Sequence, residues 1–316
     1  MLIKAVAAII EDKNGNILIS QRMSHQFMPD YWELPGGKIE PGESSFQAAK
    51  RELKEELSID VKELKIIKTI NQSYSDRDVQ IEIVKIDQYF GDPIGQEGQK
   101  IKWLDIDSIL NLKILPTMRP ILNLLRLPKI FWITPEQEFK EETLEDVIEV
   151  KKNNHIKIIQ FRSKIKTNNL YLSNFIEICK QYNVQLILNT IDKSFDEDVQ
   201  GWHLTSQELM STDTRPCPPS KILGASVHNM SELEKANEVG VDYVFISPIK
   251  ETKSHPGVMP LSSKEIKKLM RATNIPAYFL GGLSPDQMED CEKWVLMELL
   301  ELQQSKLFFW FCIGRL

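Results

Sequence analysis

The chain is poor in cysteine, and none of it is paired: Cys179, Cys217, Cys291 and Cys312 stand far apart with no C-x-x-C among them. That excludes a zinc knuckle or a disulfide framework and fits a reducing, cytoplasmic setting. A basic surplus is also missing. Lys and Arg number 39 against 45 Asp and Glu, a formal net charge of -6, so polymeric DNA or RNA is not expected as the main ligand. No apolar run is long enough to cross a bilayer, and no membrane partner is expected. The opening MLIKAVAAIIEDKNG is broken by Lys4 and Glu11 and closes on a turn, the pattern of a strand and hairpin rather than a signal peptide. What is present is an ordinary globular composition, 42% hydrophobic and 27% charged over 316 residues, long enough for two domains.

The most informative stretch runs from Trp32 to Ile59, WELPGGKIEPGESSFQAAKRELKEELSI. A Gly36-Gly37 turn leads to a second turn at Pro41-Gly42, and Glu43 is expected to open a helix carrying Arg51, Glu52, Glu55 and Glu56. Residues three and four apart share a helix face, so Glu52, Glu55 and Glu56 gather three repelling carboxylates. A hard divalent cation on oxygen ligands is the usual relief for such repulsion. For Glu55 and Glu56 taken alone, a solvated acidic face is the plainer reading. Phe46, Ala49, Leu53 and Leu57 form a separate apolar stripe that would pin the helix to a core. Strands are expected at 2–10, 17–22, 63–70, 79–90 and 101–105, with short helices at 106–111 and 117–126, the rhythm of a small α/β sandwich.

The string Gly37, Glu43, Arg51-Glu52-Leu53, Glu55-Glu56 and Ser58-Ile59 resembles the signature of the Nudix hydrolases. Only Ser58 departs, where the family has Gly. That position follows the helix end, where Gly accepts a left-handed conformation cheaply, so Ser58 should cost local stability without removing a ligand. WELPGGKIEPGE and GQEGQKIKW narrow the resemblance to the MutT type, over residues 1–128. The resemblance implies an α/β/α sandwich that binds Mg²⁺, with Mn²⁺ as a substitute, through the Gly36 carbonyl, Glu52, Glu55, Glu56 and Glu97. It implies Glu52 as the base that takes a proton from water, with Glu97 second, and Arg51 orienting the carboxylates. Arg22 and Arg77 would handle phosphate or nucleotide, beside Glu33, Leu34, Pro35 and Gly36. The implied reaction converts a nucleoside triphosphate, 8-oxo-dGTP above all, to the monophosphate and pyrophosphate, a nucleotide-pool sanitation step in DNA repair and replication. In the segment ILPTMRPIL, Met118 stands where the MutT pattern has a base-reading Asn, and it lacks the paired amide donor and acceptor.

After a linker at Leu127-Pro128-Lys129, apolar runs at 130–134, 156–161, 185–189, 201–204, 222–225, 242–247 and 276–280 alternate with helical stretches. Alternating βα units predict a TIM-like (β/α) barrel over 129–316, with functional residues just after the strands. Residues 130–293 resemble thiamine phosphate synthase and its TenI-like relatives. The resemblance implies that Gln160, Arg162 and Lys164 grip pyrophosphate, that Asn189 and His228 belong to the ligand site, and that Gly281-Gly282 form a phosphate-binding turn. The implied ligand is a phosphorylated thiazole or pyrimidine. Two metal-binding Asp positions of the synthase pattern hold Thr190 and Glu208 here. The barrel is therefore read either as a phosphate-ligand module or as an enzyme that needs no such metal, with His228 as acid or base.

The tail WVLMELLELQQSKLFFWFCIGRL breaks the barrel rhythm. Under one choice of codons for Trp294 to Gln304, reading two bases later yields Gly-Ala-Asp-Gly-Ile-Ala-Gly-Ile-Ala-Ala, the ending the resemblance predicts. A frameshift over 294–316 is the expectation, with a divergent amphipathic helix as the alternative. A genuine tail of this kind predicts a barrel incomplete at its C-terminus, with unpaired strand edges and an exposed LFFWF run.

Overall fold

The structure is a computed structural model that describes residues 2–73, 77–134, 141–153, 156–162, 169–189, 191, 194, 197–251, 257–281 and 310–314. It divides into two compact units, one running to Arg126 and one starting at Leu127.

In chain order the first unit contains β1 (Leu2–Ile9), β2 (Ile17–Gln21), β3 (Trp32–Glu33), α1 (Ser45–Leu57), β4 (Asp60–Ser73), β5 (Asp78–Phe90), β6 (Ile101–Leu104), α2 (Ile106–Leu110) and α3 (Met118–Arg126). β5 lies between β1, its parallel neighbour, and β4, its antiparallel one, while β2 sits between β3 and β6 in a small antiparallel sheet. Alternation along a strand sends successive side chains to opposite faces. Accordingly Val6, Ala8 and Ile10 pack with Ala48, Ala49, Leu53 and Leu57 of α1. Ile9 between them joins Ile109, Met118, Ile121 and Leu122 from α2 and α3 on the other face. The result is the α/β/α sandwich expected. One stripe residue is displaced: Phe46 remains 41% exposed, and contact with the sheet starts instead at Ala48 and Ala49, small residues that let the helix approach closely. β3, two residues long, has no period of its own and goes unannounced in the sequence.

The second unit contains β7 (Ile130–Ile133), α4 (Glu141–Asn153), β8 (Ile158–Phe161), α5 (Asn169–Gln181), β9 (Gln185–Leu188), β10 (Gly201–Leu204), α6 (Ser206–Ser211), β11 (Ile222–Val227), α7 (Met230–Val239), β12 (Tyr243–Ile246), α8 (Ser263–Ala272), β13 (Ala277–Phe279) and β14 (Trp310–Gly314). Strands covered on both faces read as continuous apolar runs, as IIQF in β8 and YVFI in β12 do. All pairings are parallel, and the sheet closes in the order β10-β11-β12-β13-β14-β7-β8-β9. Seven strands follow the expected βα rhythm. β14 supplies the eighth from the anomalous tail, pairing Tyr278 and Phe279 with Trp310 and Phe311 on one side and Ile130 to Ile133 with Phe311 to Gly314 on the other. The unpaired edges expected beside β7 and β13 are thus filled. Trp294 to Gln304, where the frameshift was inferred, lies outside the described residues.

The barrel interior is aromatic. Phe131, Tyr243, Phe245 and Tyr278 place ring centroids 4.7 to 5.8 Å apart, offset and edge-on as ring quadrupoles prefer. Where chain enters β11 and β12, the buried Asp242 carboxylate takes the Arg215 guanidinium at 2.7 Å and the Leu223 N–H at 2.8 Å. No helix among the described residues is long and apolar enough to cross a membrane.

Candidate functional site

The Gly36-Gly37 turn is pinned to β1 by bonds from Val6 N–H to the Gly37 carbonyl and from Ala8 N–H to the Pro35 carbonyl, each 2.8 Å. The peptide between them faces α1, its Gly36 N–H donating to Glu56 Oε2 at 3.0 Å. Gly37 is there because a Cβ would lie 2.3 Å from the Glu52 carboxyl carbon. The turn and the acidic face of α1 are therefore packed as one piece.

α1 starts later than the sequence suggests. Ser44 is its N-cap, in a reciprocal capping box with Gln47. Glu43 stands ahead of the helix and binds Arg51 in a fork, Nε to Oε1 at 3.1 Å and Nη2 to Oε2 at 2.9 Å. That hydrogen bonding holds the Glu43 carboxyl below its usual pKa and pushes Arg51 further up. Arg51 also donates to the Lys38 carbonyl at 3.0 Å and pairs with Glu52 at 2.9 Å and Glu55 at 3.5 Å. One guanidinium thus joins the turn, Glu43 and two signature carboxylates. Ser58 takes the left-handed conformation foreseen for it, φ 61 and ψ 19.

Glu56 is the most perturbed group of this unit. Burial comes first in raising its pKa, which reaches about 8 although the Gly36 N–H works the other way, and the negative charges of Glu33, Glu52 and Glu97 add to the rise. Glu97 itself is exposed, on a loop tied to the end of α1 by Gln96 N–H and Gln99 Nε2 donating to the Glu56 carbonyl, both at 2.9 Å. Oxygen donors in a negative field suit a hard divalent cation. Among the described residues no three metal-ligating groups converge into a finished cage, since Arg51 holds Glu52 and Glu55 while Gly36 holds Glu56.

The expected substrate residues separate into two groups. Arg22 donates to the Phe27 carbonyl at 2.6 Å and pairs with Glu33, and Arg77 lies 5.2 Å from the centroid of the Phe27 ring. The loop between β2 and β3 thereby brings Arg22, Glu33 and Arg77 around Phe27. Burial raises the Glu33 carboxyl, with Arg22 opposing. Leu34 is different. It is buried in the core, as is Met118, which packs with Ile121 and Leu122 and takes no part in reading a base through an amide.

In the barrel, Gln160, Arg162 and Asn189 follow one another around the strand ends. Gln160 Nε2 donates to Asn189 Oδ1 at 2.5 Å, and Arg162 N–H donates to Thr134 Oγ1 at 2.9 Å. Gln160 Oε1 is buried and has no hydrogen-bond partner among the described residues. His228, just after β11, is gripped by Glu232: the carboxylate Oε2 lies 2.9 Å from Nδ1 and accepts the His228 N–H at 2.7 Å, while Oε1 accepts from Ser206 Oγ at 2.7 Å. Burial works to raise the Glu232 pKa, but the bonds from Ser206 and His228 outweigh it and leave it lowered. Glu208, in place of a metal-binding Asp, closes a capping box with Thr205 at the start of α6. Gly281 takes φ 106 at the end of β13. Lys164, Thr190 and Gly282 lie outside the described residues.

Three barrel residues of note escape the motif reading. His203 is buried within β10, with Nδ1 3.1 Å from the Tyr243 hydroxyl and Nε2 2.9 Å from Ser226 Oγ. The signal was available in the strands' alternation, since Gly224, Ser226 and His228 share a parity, as do Tyr243 and Phe245.

Residues 130–294 match the thiamine monophosphate synthase model and residues 1–125 the NUDIX domain model. The chain belongs to the thiamine monophosphate synthase family through its barrel, which is fused behind a Nudix domain. The putative thiamine-phosphate synthase 2 of Aquifex aeolicus is 30% identical over 173 residues, 54% of this chain and 92% of that protein. For the first unit, the ORF135 protein of E. coli is 32% identical, covering 39% of this chain and 88% of its own with a TM-score of 0.36. A chain from a study of MutT from Aliivibrio salmonicida and Vibrio cholerae is 31% identical, covering 40% and 97% with a TM-score of 0.35. The Nudix domain is that of hydrolases acting on phosphoric anhydrides, which generally require a divalent metal.

Proposed function

We propose that the first unit is a Mg²⁺-dependent pyrophosphohydrolase that cleaves a nucleoside triphosphate to the monophosphate and pyrophosphate, with 8-oxo-dGTP as the substrate of interest in nucleotide-pool sanitation. The observation that carries the reading is Glu56, buried against Gly36 in the combined field of Glu33, Glu52 and Glu97. Gly36, Glu52, Glu55, Glu56 and Glu97 would hold the cation, and Mg²⁺ supplies charge neutralisation at the phosphates and acidifies water. Arg51 orients Glu52 and Glu55 through its fork to Glu43 and Lys38. Glu52 accepts the proton of the attacking water, with Glu97 as the second candidate. Arg22 and Arg77, gathered at Phe27, bind phosphate or nucleotide. Met118, buried in the core, offers the base no amide, so discrimination rests on other groups.

The test is product analysis by the full chain with Mg²⁺ across 8-oxo-dGTP, dGTP and other nucleoside triphosphates. Monophosphate and pyrophosphate in equal amounts support the reaction, and a preference for 8-oxo-dGTP supports the sanitation role. Release of orthophosphate alone would sink the proposal.

The barrel supports a second reading, the binding of a phosphorylated small molecule with His228 as a proton-transfer group. Glu232 fixes the imidazole by Nδ1 and leaves Nε2 to a ligand, the arrangement by which a carboxylate sets tautomer and orientation. With Thr190 and Glu208 standing at the two metal-binding Asp positions of the synthase pattern, and Glu208 bonded to Thr205, this reading fits the barrel better than metal-assisted pyrophosphate displacement.

A further inference from the structure

With no amide at Met118, the base must be recognised by another group, and the loop between β2 and β3 holds one. Phe27 stands there 51% exposed. The loop around it is tightly determined: Arg22 Nε donates to the Phe27 carbonyl at 2.6 Å, Met23 N–H to Gln26 Oε1 at 2.7 Å and Gln21 Nε2 to the Asp30 carbonyl at 3.1 Å. Just past the ring, Met28 (φ 54) and Asp30 (φ 65) both take the left-handed conformation, strained for a residue with a side chain and kept only where the surroundings impose it. Strain of this kind gathers at ligand clamps. The arginine that holds the Phe27 carbonyl also pairs with Glu33, whose charge acts on Glu56. One side chain thus ties the aromatic loop to the acidic face of α1. Arg77 Cζ lies over the Phe27 ring, 5.2 Å from its centroid, within the reach of a cation–π contact. The ring face is therefore already engaged by a flat, delocalised group from β5's leading end, and half of the residue is still open to another.

We propose that the Phe27 ring is the stacking platform for the nucleobase, a specificity-determining residue that favours purine over pyrimidine nucleoside triphosphates. This role rests on the hydrolase reading of the first unit and names how that site selects its substrate. Every base has a π face, so stacking on an aromatic ring tolerates changes at the base edge. Its strength grows with the area covered, and a purine covers more than a pyrimidine. Oxidation at C8 alters the edge of guanine and leaves the bicyclic ring in place, so Phe27 supports 8-oxo-dGTP and dGTP alike. Arg77, beside the ring, stays within reach of the phosphates.

The test is steady-state hydrolysis by the full chain with Mg²⁺ of dGTP, 8-oxo-dGTP, dATP, dCTP and dTTP, comparing the wild type with Phe27→Leu and Phe27→Trp. The wild type is expected to favour the three purines. Phe27→Leu keeps apolar bulk but no π face, and should lower kcat/KM for the purines about tenfold through KM, with a smaller effect on dCTP and dTTP. Phe27→Trp, which restores an aromatic face, should keep the purine preference, and neither variant should change the ratio of 8-oxo-dGTP to dGTP. A wild type that ignores ring size overturns the platform while leaving the hydrolase reading intact, and so does an unchanged purine-to-pyrimidine ratio in Phe27→Leu. A wild type that cleaves none of the five contradicts the hydrolase reading and with it the role given to Phe27.

Discussion

Burial holds both Glu56 and His203 in their neutral forms, shifting their pKa values in opposite directions, and each makes stability depend on pH in a definite direction. Glu56 has its folded pKa raised to about 8 from 4.5. For a raised carboxyl, the contribution is complete below the unfolded value and is lost as pH rises through the folded one. Chelator-treated protein should therefore lose stability between about pH 5 and pH 8. Glu56→Gln keeps an acceptor for the Gly36 N–H, so it should flatten that slope in denaturant melts while abolishing metal-dependent hydrolysis. A slope unchanged in the variant would remove Glu56 as its source. His203 runs the other way: lowered from 6.5 to about 3, it supports the fold fully above the unfolded value and loses that support as pH falls through 6.5 toward 3. At about 1.4 kcal/mol per unit, the loss amounts to several kcal/mol, and His203→Gln should remove most of it in an acid titration followed by near-UV circular dichroism.

Among the elements, α1 shows most plainly what could be read in advance and what could not. Its existence, its acidic face and the left-handed Ser58 follow from spacing and from the chemistry of helix ends. Its true start at Ser45 does not, because Glu43 was free to be the first helical residue until the fold gave it Arg51 as a partner. The same limit applies to Leu34, Met118 and Phe46, whose burial is decided by which face of the sheet receives a helix. In the barrel the seven regular strands were legible from period alone. β14 was not, since Trp310–Gly314 follows no βα unit the sequence announces, and the interior chain from Tyr243 to Ser226 exists only once strands distant in sequence lie side by side. Two element-scale outcomes follow. Ser58→Gly should stabilise the first unit by about 0.5–1 kcal/mol, relieving a left-handed residue with a side chain, and a lower melting temperature would contradict this. Asp242→Ala should destabilise the barrel by about 3–5 kcal/mol in urea melts because it strands the Arg215 charge; a change under half of that would mean solvent reaches Arg215.

At the scale of the whole molecule, two units with separate cores carry a Nudix domain in one and a thiamine monophosphate synthase-family barrel in the other, and the two proposed sites are independent of each other. Removal of the chain from 310 onward takes away β14, the shared neighbour of β7 and β13. Hydrogen exchange should then report lost protection at β7 and β13 with protection of α1, β4 and β5 retained; unchanged protection throughout would show that β14 does not hold the barrel closed. The central claim, that the acidic face of α1 performs metal-dependent anhydride hydrolysis, is tested most directly by pyrophosphate release from nucleoside triphosphates in a Mg²⁺ titration of the wild type, Glu52→Gln and Glu56→Gln. The account predicts Mg²⁺-dependent release by the wild type and losses of about 10²–10⁴-fold in both variants. Wild-type rates in either variant, or release that ignores Mg²⁺, would contradict it.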